Sequence, residues 1–264
     1  MSISEKPNVV VDGVGMDFTV KGGTFAALND IALTLPRGSF TTLLGPSGCG
    51  KSTLLRIVAD VIRPTRGTVD LFGMTASEAR MNGLFGFVFQ DPVLLPWRSA
   101  LSNIELPLEA QHVPKAERRE RAVAVLKLVG LDGFEHLLPA KLSGGMARRV
   151  AIARALVVEP SILFLDEPFN GLDELRRRKM NVELQRIWSA TGTTSLLVTH
   201  NVADAVFLSD TVIVMGNHPG HILDRRHIDL PRPRSIENAL SPDYIAHERA
   251  LTALLSDDYT TKDD

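Results

Sequence analysis

One glycine-rich stretch has the residue types and the spacing that bind phosphate groups. Residues 45–52 read Gly-Pro-Ser-Gly-Cys-Gly-Lys-Ser, which matches the pattern G-x-x-x-x-G-K-[ST], and they directly follow the apolar run Phe40–Leu44. The glycines let successive backbone N–H groups face the phosphates, Lys51 reaches the β- and γ-oxygens, and the Ser52 hydroxyl can ligate Mg²⁺. We interpret the stretch as a phosphate-binding loop and predict a nucleoside triphosphate as its ligand.

A helix is predicted to follow this loop, over residues 52–59. Its N-terminus would direct the positive end of the helix dipole at the same phosphates. The candidate nucleotide-binding residues of the region are Gly45, Pro46, Ser47, Gly48, Cys49, Gly50, Lys51, Ser52 and Thr53.

Three further apolar runs each end in a polar residue that phosphate chemistry uses. Residues 84–89 lead to Gln90, residues 162–165 lead to Asp166 and Glu167, and residues 194–199 lead to His200. Continuous apolar runs of this length are typical of strands buried on both faces. Because ligands of open α/β sheets bind at the carboxyl ends of the strands, we expect these side chains to converge with Gly45 on one edge.

Each of these polar residues has a role in phosphoryl transfer to water. Asp166 would hold Mg²⁺ beside Ser52, since a hard cation prefers oxygen ligands. Glu167 would orient or deprotonate the attacking water. Gln90 can contact the metal or the water, and His200 can donate a hydrogen bond to the γ-phosphate.

A second glycine-containing stretch, Leu-Ser-Gly-Gly-Met at residues 142–146, precedes a predicted helix over residues 147–156. By itself it has two interpretations. Ser143 can be an ordinary N-cap with glycines that ease the turn, or the stretch can be a second phosphate-binding motif.

The order of these motifs decides between the two interpretations, because it resembles that of the ATP-binding cassette (ABC) ATPases. The resemblance extends from about residue 8 to about residue 225. It implies an α/β fold: a P-loop NTPase cassette with a RecA-like core, an antiparallel β subdomain and an inserted helical subdomain. The matching segments are residues 45–52, Gln90, residues 142–146, 162–167 and 170–173, and His200.

The resemblance also implies a domain organisation and a dimer. The ATPase domain would span residues 8–240, with the helical subdomain at about 91–157 and a C-terminal helix or tail at 241–264. A helix is predicted over residues 115–129, started by Pro114 and stopped by Gly130. Two cassettes, expected to be identical, would pack head to tail around ATP. The residues expected to contact nucleotide across that dimer are Ser143, Gly144 and Gly145, and Asp173 is a further candidate nucleotide-binding residue.

Less specific features resemble one branch, the nitrate, sulfonate and taurine importer ATPases. They are residues 91–97, 106–108, Met146, 205–208 and 230–234. This branch implies a peripheral protein at the cytoplasmic face of the membrane, with permease partners and, indirectly, an extracytoplasmic solute-binding protein. Residues 94–98 would then contact the permease; alternatively they form a local hydrophobic cluster. The solute is not encoded in this chain.

Adenine needs an aromatic partner, which the resemblance places before the phosphate-binding loop. Phe18 is the candidate, and Phe25 is a weaker one. Phe18 fits equally well as a core residue of an amphipathic strand.

Three positions depart from the family pattern. Residues 147–149 read Ala-Arg-Arg where Arg-Gln-Arg is usual, residues 170–171 read Asn-Gly where Gly-Ala is commoner, and Asn201 replaces the aspartate that usually follows the histidine. None of these changes removes a metal ligand or the catalytic glutamate, so ATP hydrolysis is expected.

Composition and charge bear on which functional classes of protein are compatible with the sequence. The 264 residues carry a net charge of −2, which gives no electrostatic footprint for nucleic acid, and one cysteine, which indicates a reducing compartment. Neither a secretory signal nor an apolar run of membrane-spanning length is expected, and the basic residues 225–226 and 232–234 are predicted to form a solvated face. Two alternatives to the importer remain: a soluble ABC ATPase acting on nucleic acid or ribosomes, and a nucleotide-binding regulator without turnover.

Overall fold

The computed structural model describes residues 8–260, with the side chains of residues 257–260 excepted, and within that range the chain divides into two compact units. Unit 1 contains residues 8–82 and 193–260, and unit 2 contains residues 83–192. The strands of the described residues are β1 (Val9–Val20), β2 (Gly23–Leu35), β3 (Phe40–Leu44), β4 (Arg66–Leu71), β5 (Met74–Thr75), β6 (Phe85–Val88), β7 (Ile162–Asp166), β8 (Thr194–Thr199), β9 (Thr211–Gly216) and β10 (His221–His227). The α-helices are α1 (Lys51–Val58), α2 (Ala76–Met81), α3 (Ala100–Ala110), α4 (Lys115–Leu128), α5 (Gly144–Leu156), α6 (Glu174–Thr191), α7 (Val202–Leu208) and α8 (Pro242–Thr260).

Unit 1 contains two kinds of sheet. Strands β2, β1, β4 and β5 form an antiparallel sheet in that order, which is the predicted antiparallel β subdomain. Strand β3 lies between β8 and β9 and runs parallel to both, while β10 pairs antiparallel with β9. Every residue of β3 and β8 is buried, including the threonines and the serine that these mainly apolar strands contain.

Unit 2 combines the parallel pair β6 and β7 with helices α3 to α6. All five residues of β7 are buried, and the Phe164 ring packs against the rings of Phe85 and Phe87 at centroid distances of 5.2 and 6.3 Å. Helix α4 ends where the sequence predicts, because Gly130 follows it with a φ of +67° that suits a residue just past a helix end. The predicted limits of the helical subdomain, residues 91–157, stay a prediction.

Polar side chains at the N-caps define where four helices begin. The side-chain oxygens of Ser99, Ser143, Asp173 and Asn201 accept hydrogen bonds from backbone N–H groups in the first turns of α3, α5, α6 and α7. These caps satisfy donors that have no partner inside the helix. They also fix the chain direction at three of the segments identified from the sequence.

The prediction of a solvated basic face at residues 232–234 was wrong. Arg234 is buried, and Arg232 forms an ion pair with Asp210 at 2.8 Å. The segment folds back onto α7, where backbone carbonyl oxygens solvate the guanidinium groups in place of water. Sequence composition cannot reveal this, because the carbonyls belong to residues more than twenty positions away.

Among residues 8–260, no helix combines the length and the apolar composition needed to cross a bilayer.

Phe164 should dominate the stability of unit 2. Phe164→Ala is expected to lower the free energy of unfolding by about 3–5 kcal/mol, because it removes a fully buried ring and leaves a cavity between Phe85 and Phe87. Phe134→Ala, at a partly exposed ring of the same unit, is the control and should cost below about 1 kcal/mol. Chemical denaturation of both variants measures the difference; equal losses would contradict the assignment of Phe164 to the core.

Candidate functional site

The phosphate-binding loop connects β3 to α1 and is tightly packed from behind. A Cβ at Gly45 would lie 2.6 Å from the carbonyl oxygen of Met215. Met215 lies in β9, directly after Val214, which pairs with Leu44 of β3. Gly50 has a φ of +96°, and a Cβ there would lie 2.6 Å from Leu28. Both ends of the loop therefore require glycine for steric reasons internal to the protein.

The beginning of α1 has the properties of an anion site. Its N-cap is Gly50, which offers no capping side chain, and the first turn carries no acidic residue. The backbone N–H groups of the first turn and the helix dipole therefore favour a bound anion. Above Gly48 nothing lies within 4 Å of where a Cβ would stand, so a ligand can approach the backbone closely there.

Lys51 lies inside the loop and is 4% exposed. Its Nζ donates to the carbonyl oxygens of Gly45 at 2.8 Å and Pro46 at 2.7 Å, and lies 3.8 Å from the Cys49 sulfur. These contacts hold the cation within the curve of the loop, as binding of β- and γ-phosphates requires. Burial raises the pKa of the Cys49 thiol, although the neighbouring Lys51 ammonium acts in the opposite direction.

His200 follows β8 at the edge where the loop follows β3. Leu44 and Thr199 are partners in the parallel register, so Gly45 and His200 lie at the same edge of the sheet, as predicted. His200 is exposed, and α7 begins two residues later. Asn201 keeps the capping function of the usual aspartate, because its Oδ1 accepts from the backbone N–H of Asp204 at 3.0 Å.

The two aromatic candidates for adenine contact lie opposite each other on the β1–β2 hairpin. Phe18 and Phe25 are cross-strand partners and are 37% and 43% exposed, so the interpretation of Phe18 as a core residue is wrong. The Phe25 ring also meets the edge of the His218 ring at a centroid distance of 5.7 Å. His218 lies in the turn between β9 and β10, and no motif in the sequence pointed to it.

In unit 2 the parallel register of β6 and β7 brings together the polar residues that follow these strands. Val88 is paired with Leu165, so exposed Gln90 and buried Asp166 lie at one edge. Glu167 is half-buried and has a φ of +42°, a strained value for a residue with a side chain. Convergence of this pair with Gly45 and His200 stays a prediction.

The 142–146 stretch forms the start of α5. Ser143 is its N-cap, with the Oγ accepting from the Met146 N–H at 3.3 Å. A Cβ at Gly144 or Gly145 would meet nothing within 4 Å. Glycine weakens a helix by about 0.5–1 kcal/mol relative to alanine, and nothing in the described part of the chain explains two glycines here.

Two arginines of α5 hold neighbouring loops of unit 2. Arg148 Nη2 donates to the carbonyl oxygen of Asn170, the first residue of the 170–173 segment, whose Asp173 caps α6. Arg154 donates to the carbonyl oxygens of Pro92 at 2.9 Å and Val93 at 2.8 Å, and burial lowers its pKa. Arg148 stands where the family usually has glutamine, and its hydrogen bond to Asn170 gives this departure a structural role.

An apolar groove of about 400 Å³ lies beside the segment that follows Gln90. Trp97, within that segment, is 73% exposed. The loop that carries Trp97 is held by the side chain of buried Asn103. This side chain forms hydrogen bonds with backbone groups of Leu95, Arg98 and Ser99. Residues 94–98 therefore form a platform on which Pro96 and Trp97 are exposed, while Leu94, Leu95 and Arg98 are half-buried. Contact of this platform with a permease stays a prediction. The groove is lined mainly by Phe85, Phe87, Phe89, Val93, Leu106 and Pro107.

Ser52 and Asp166 are two of the magnesium ligands that the sequence predicts. Among the described residues, no group of three or more His, Cys, Asp or Glu side chains is placed to hold a metal ion. Ser52 in unit 1 and Asp166 in unit 2 each supply a hard oxygen donor, the type of protein ligand that Mg²⁺ combines with phosphate oxygens. A magnesium ion held by both residues stays a prediction.

Comparison with known proteins decides the family. A family model described as ABC transporter matches residues 28–170, more than half of the chain. This chain belongs to the ABC transporter family. The cassette is 43% identical over 224 residues to the taurine import ATP-binding protein of Pseudomonas aeruginosa, covering 85% of this chain and 84% of that protein. It is 45% identical over 233 residues to an aliphatic sulfonates import ATP-binding protein of Xanthomonas axonopodis pv. citri, covering 87% of each.

Further comparisons agree with this membership. The identity is 41% over 232 residues to the nitrate import ATP-binding protein of Synechococcus elongatus, covering 86% of this chain and 83% of that protein. The fold matches a dimeric ATP-binding cassette in a post-hydrolysis state with ADP and phosphate, at a TM-score of 0.73 and 31% identity over 84% of this chain and all of that one. The predicted family branch and fold class are confirmed, and the cassette is an ATPase that binds ATP.

The Cys49 thiol should react slowly in the folded cassette. Its raised pKa keeps the thiol protonated at pH 8 and its sulfur is inaccessible, so alkylation by iodoacetamide should be at least about tenfold slower than in the chain unfolded by guanidinium chloride. Because Cys49 is the single cysteine, mass spectrometry of the intact protein follows the reaction directly. Equal rates in the two states would show that the loop leaves the thiol open.

Proposed function

We propose that this cassette is the ATP-hydrolysing subunit of an importer for a small anion of the nitrate, sulfonate or taurine type. The observation that carries the proposal is the similarity, at 41–45% identity over most of each chain, to three proteins named for import of such solutes. The cassette would work at the cytoplasmic face of a membrane, attached to permease chains, with an extracytoplasmic binding protein delivering the solute.

The residues at or just after the ends of β3 and β8 in unit 1, and of β6 and β7 in unit 2, have different roles in the proposed hydrolysis. The loop and Lys51 bind the phosphates, and His200 donates a hydrogen bond to the γ-phosphate. Ser52 of unit 1 and Asp166 and Gln90 of unit 2 would hold Mg²⁺, which would neutralise charge on the phosphate oxygens. Glu167 accepts a proton from the attacking water or orients it, and its strained backbone, with a φ of +42°, is of the kind that occurs at functional sites.

A second cassette would complete the site. The open space above Gly144 and Gly145 lets another surface approach the backbone N–H groups at the beginning of α5, where the helix dipole favours a phosphate. Ser143 and Asp173 are exposed beside it. ATP bound between two copies would then stabilise the dimer, and hydrolysis would release it.

The permease would bind the groove and the Trp97 platform of unit 2. An exposed aromatic side chain on a rigid loop beside an apolar groove is typical of a protein-binding surface. The import function of the relatives favours this partner over nucleic acid or ribosomes, which a soluble ABC ATPase would bind.

Copurification tests the importer proposal and its docking surface. The tagged chain, extracted from native membranes in mild detergent, should bring down a polytopic permease, and Trp97→Ala should reduce permease recovery at least about tenfold, because exposed aromatic anchors dominate such interfaces. Phe134→Ala, at an exposed ring distant in sequence, is the control and should leave recovery unchanged. Recovery of ribosomes or nucleic acid without a permease would overturn the importer proposal.

Replacement of Glu167 should separate binding from hydrolysis. Glu167→Gln is expected to lower the ATPase kcat by at least about a hundredfold, because the amide cannot accept a proton, while ATP binding persists and a dimer accumulates. Steady-state hydrolysis and light scattering with ATP measure the two effects, and Glu120→Gln, at an exposed position of α4, controls for loss of charge. Unchanged turnover in Glu167→Gln would remove this residue from the mechanism.

A further inference from the structure

A buried arginine from the C-terminal segment caps the end of α7. Arg234 is 2% exposed, and its guanidinium donates to five backbone carbonyl oxygens at 2.7 to 3.3 Å. Burial, followed by the repulsion of Arg232, lowers the pKa of Arg234 to about 10, so it remains charged at neutral pH. The five carbonyls belong to Val206, Phe207, Ser209, Ile228 and Leu230.

Three of these carbonyls, those of Val206, Phe207 and Ser209, lie at the C-terminal end of α7, and those of Ile228 and Leu230 lie in the segment after β10. The last carbonyls of α7 have no partner within the helix, and a cation beside them also stabilises the negative end of its dipole. Arg232 adds a bond to the Leu208 carbonyl at 2.5 Å. The two arginines together hold the whole C-terminal end of the helix.

The same end of α7 is tied to the strand that leads into the phosphate-binding loop. Arg232 forms an ion pair with Asp210. The Oδ2 atom of Asp210 also accepts a hydrogen bond, at 2.8 Å, from the backbone N–H of Phe40, which is the first residue of β3. Ser209 donates its hydroxyl proton to Thr42 at 2.5 Å. The end of α7 is therefore fixed relative to β3.

The other end of α7 is held by α8. Tyr244 of α8 is buried, and its hydroxyl donates to the carbonyl oxygen of Ala203 in the first turn of α7 at 3.0 Å. A helix of seven residues has little stability of its own, so tertiary contacts determine its position. The C-terminal segment supplies some of those contacts, through Arg232, Arg234 and Tyr244, beside the contacts with β3. His200 lies two residues before the helix.

We propose that Arg234, assisted by Tyr244, is a positioning residue for ATP hydrolysis, which fixes α7 and thereby holds His200 at the γ-phosphate. The proposal rests on the function proposed for His200. A displacement of about 1 Å at a catalytic group can cost about a hundredfold in rate, so loss of this anchor should affect turnover and spare ATP binding.

Conservative variants of the full-length cassette test the anchor. Arg234→Lys keeps the charge but not the planar fork that serves several carbonyls, and should lower kcat roughly tenfold with the KM for ATP within about twofold. Tyr244→Phe should lower kcat by about threefold in the same way. Arg225→Lys is the control, because the Arg225 guanidinium donates to the Ala32 carbonyl, on β2, and should change neither constant. Amide hydrogen exchange in Arg234→Lys should rise in α7 and not in α1.

A double-mutant cycle distinguishes positioning of His200 from a general structural role. Arg234→Lys should change kcat less than about twofold in a His200→Ala background, because the group that it positions is gone. Single-turnover hydrolysis of radiolabelled ATP keeps the slow background measurable. If Arg234→Lys lowers kcat equally in both backgrounds, or raises KM in parallel with a loss of thermal stability, the proposal is wrong. If His200→Ala leaves kcat unchanged, the function proposed for His200 fails first, and this inference fails with it.

Discussion

The phosphate-binding loop depends on the close approach of neighbouring elements to the backbone of its glycines. Gly45 lies against the Met215 carbonyl and Gly50 against Leu28, at distances that leave no room for a Cβ. Both contacts exist because β9 pairs with β3 and because β2 passes beside the start of α1. The loop therefore takes its shape from elements on either side of it, and a strand–loop–helix segment in isolation would lack those walls.

Two buried cations of unit 1 are solvated by backbone carbonyl oxygens, with different consequences. Lys51 is held by the carbonyls of Gly45 and Pro46 at the positive end of α1, where the helix and the side chain together present positive charge to an anion. Arg234 is held at the negative end of α7, where its charge and the helix dipole compensate each other. The first arrangement suits binding of a ligand, and the second suits stabilisation of a short helix.

In unit 2, two features are exposed and are not explained by packing within the chain. Gly144 and Gly145 have open space around them, and Trp97 is held exposed on a loop that Asn103 fixes from below. Neither feature stabilises the described chain, and glycine in the first turn of α5 weakens it. Because both features are costly or unused within one chain, we propose partners for them: a second cassette at the two glycines and a permease at Trp97.

The sequence by itself predicted strands β3, β6, β7 and β8, the phosphate-binding loop and helices α1, α4 and α5, because continuous apolar runs, the spacing of G-x-x-x-x-G-K-S and residues at helix ends act locally. It also predicted that His200 shares an edge with Gly45, since parallel strands end together. Only the tertiary structure decided that Phe18 is exposed and that Arg154 and Arg234 are buried donors to carbonyls. The physical reason is that burial and carbonyl solvation depend on segments far away in the chain, which no local pattern records.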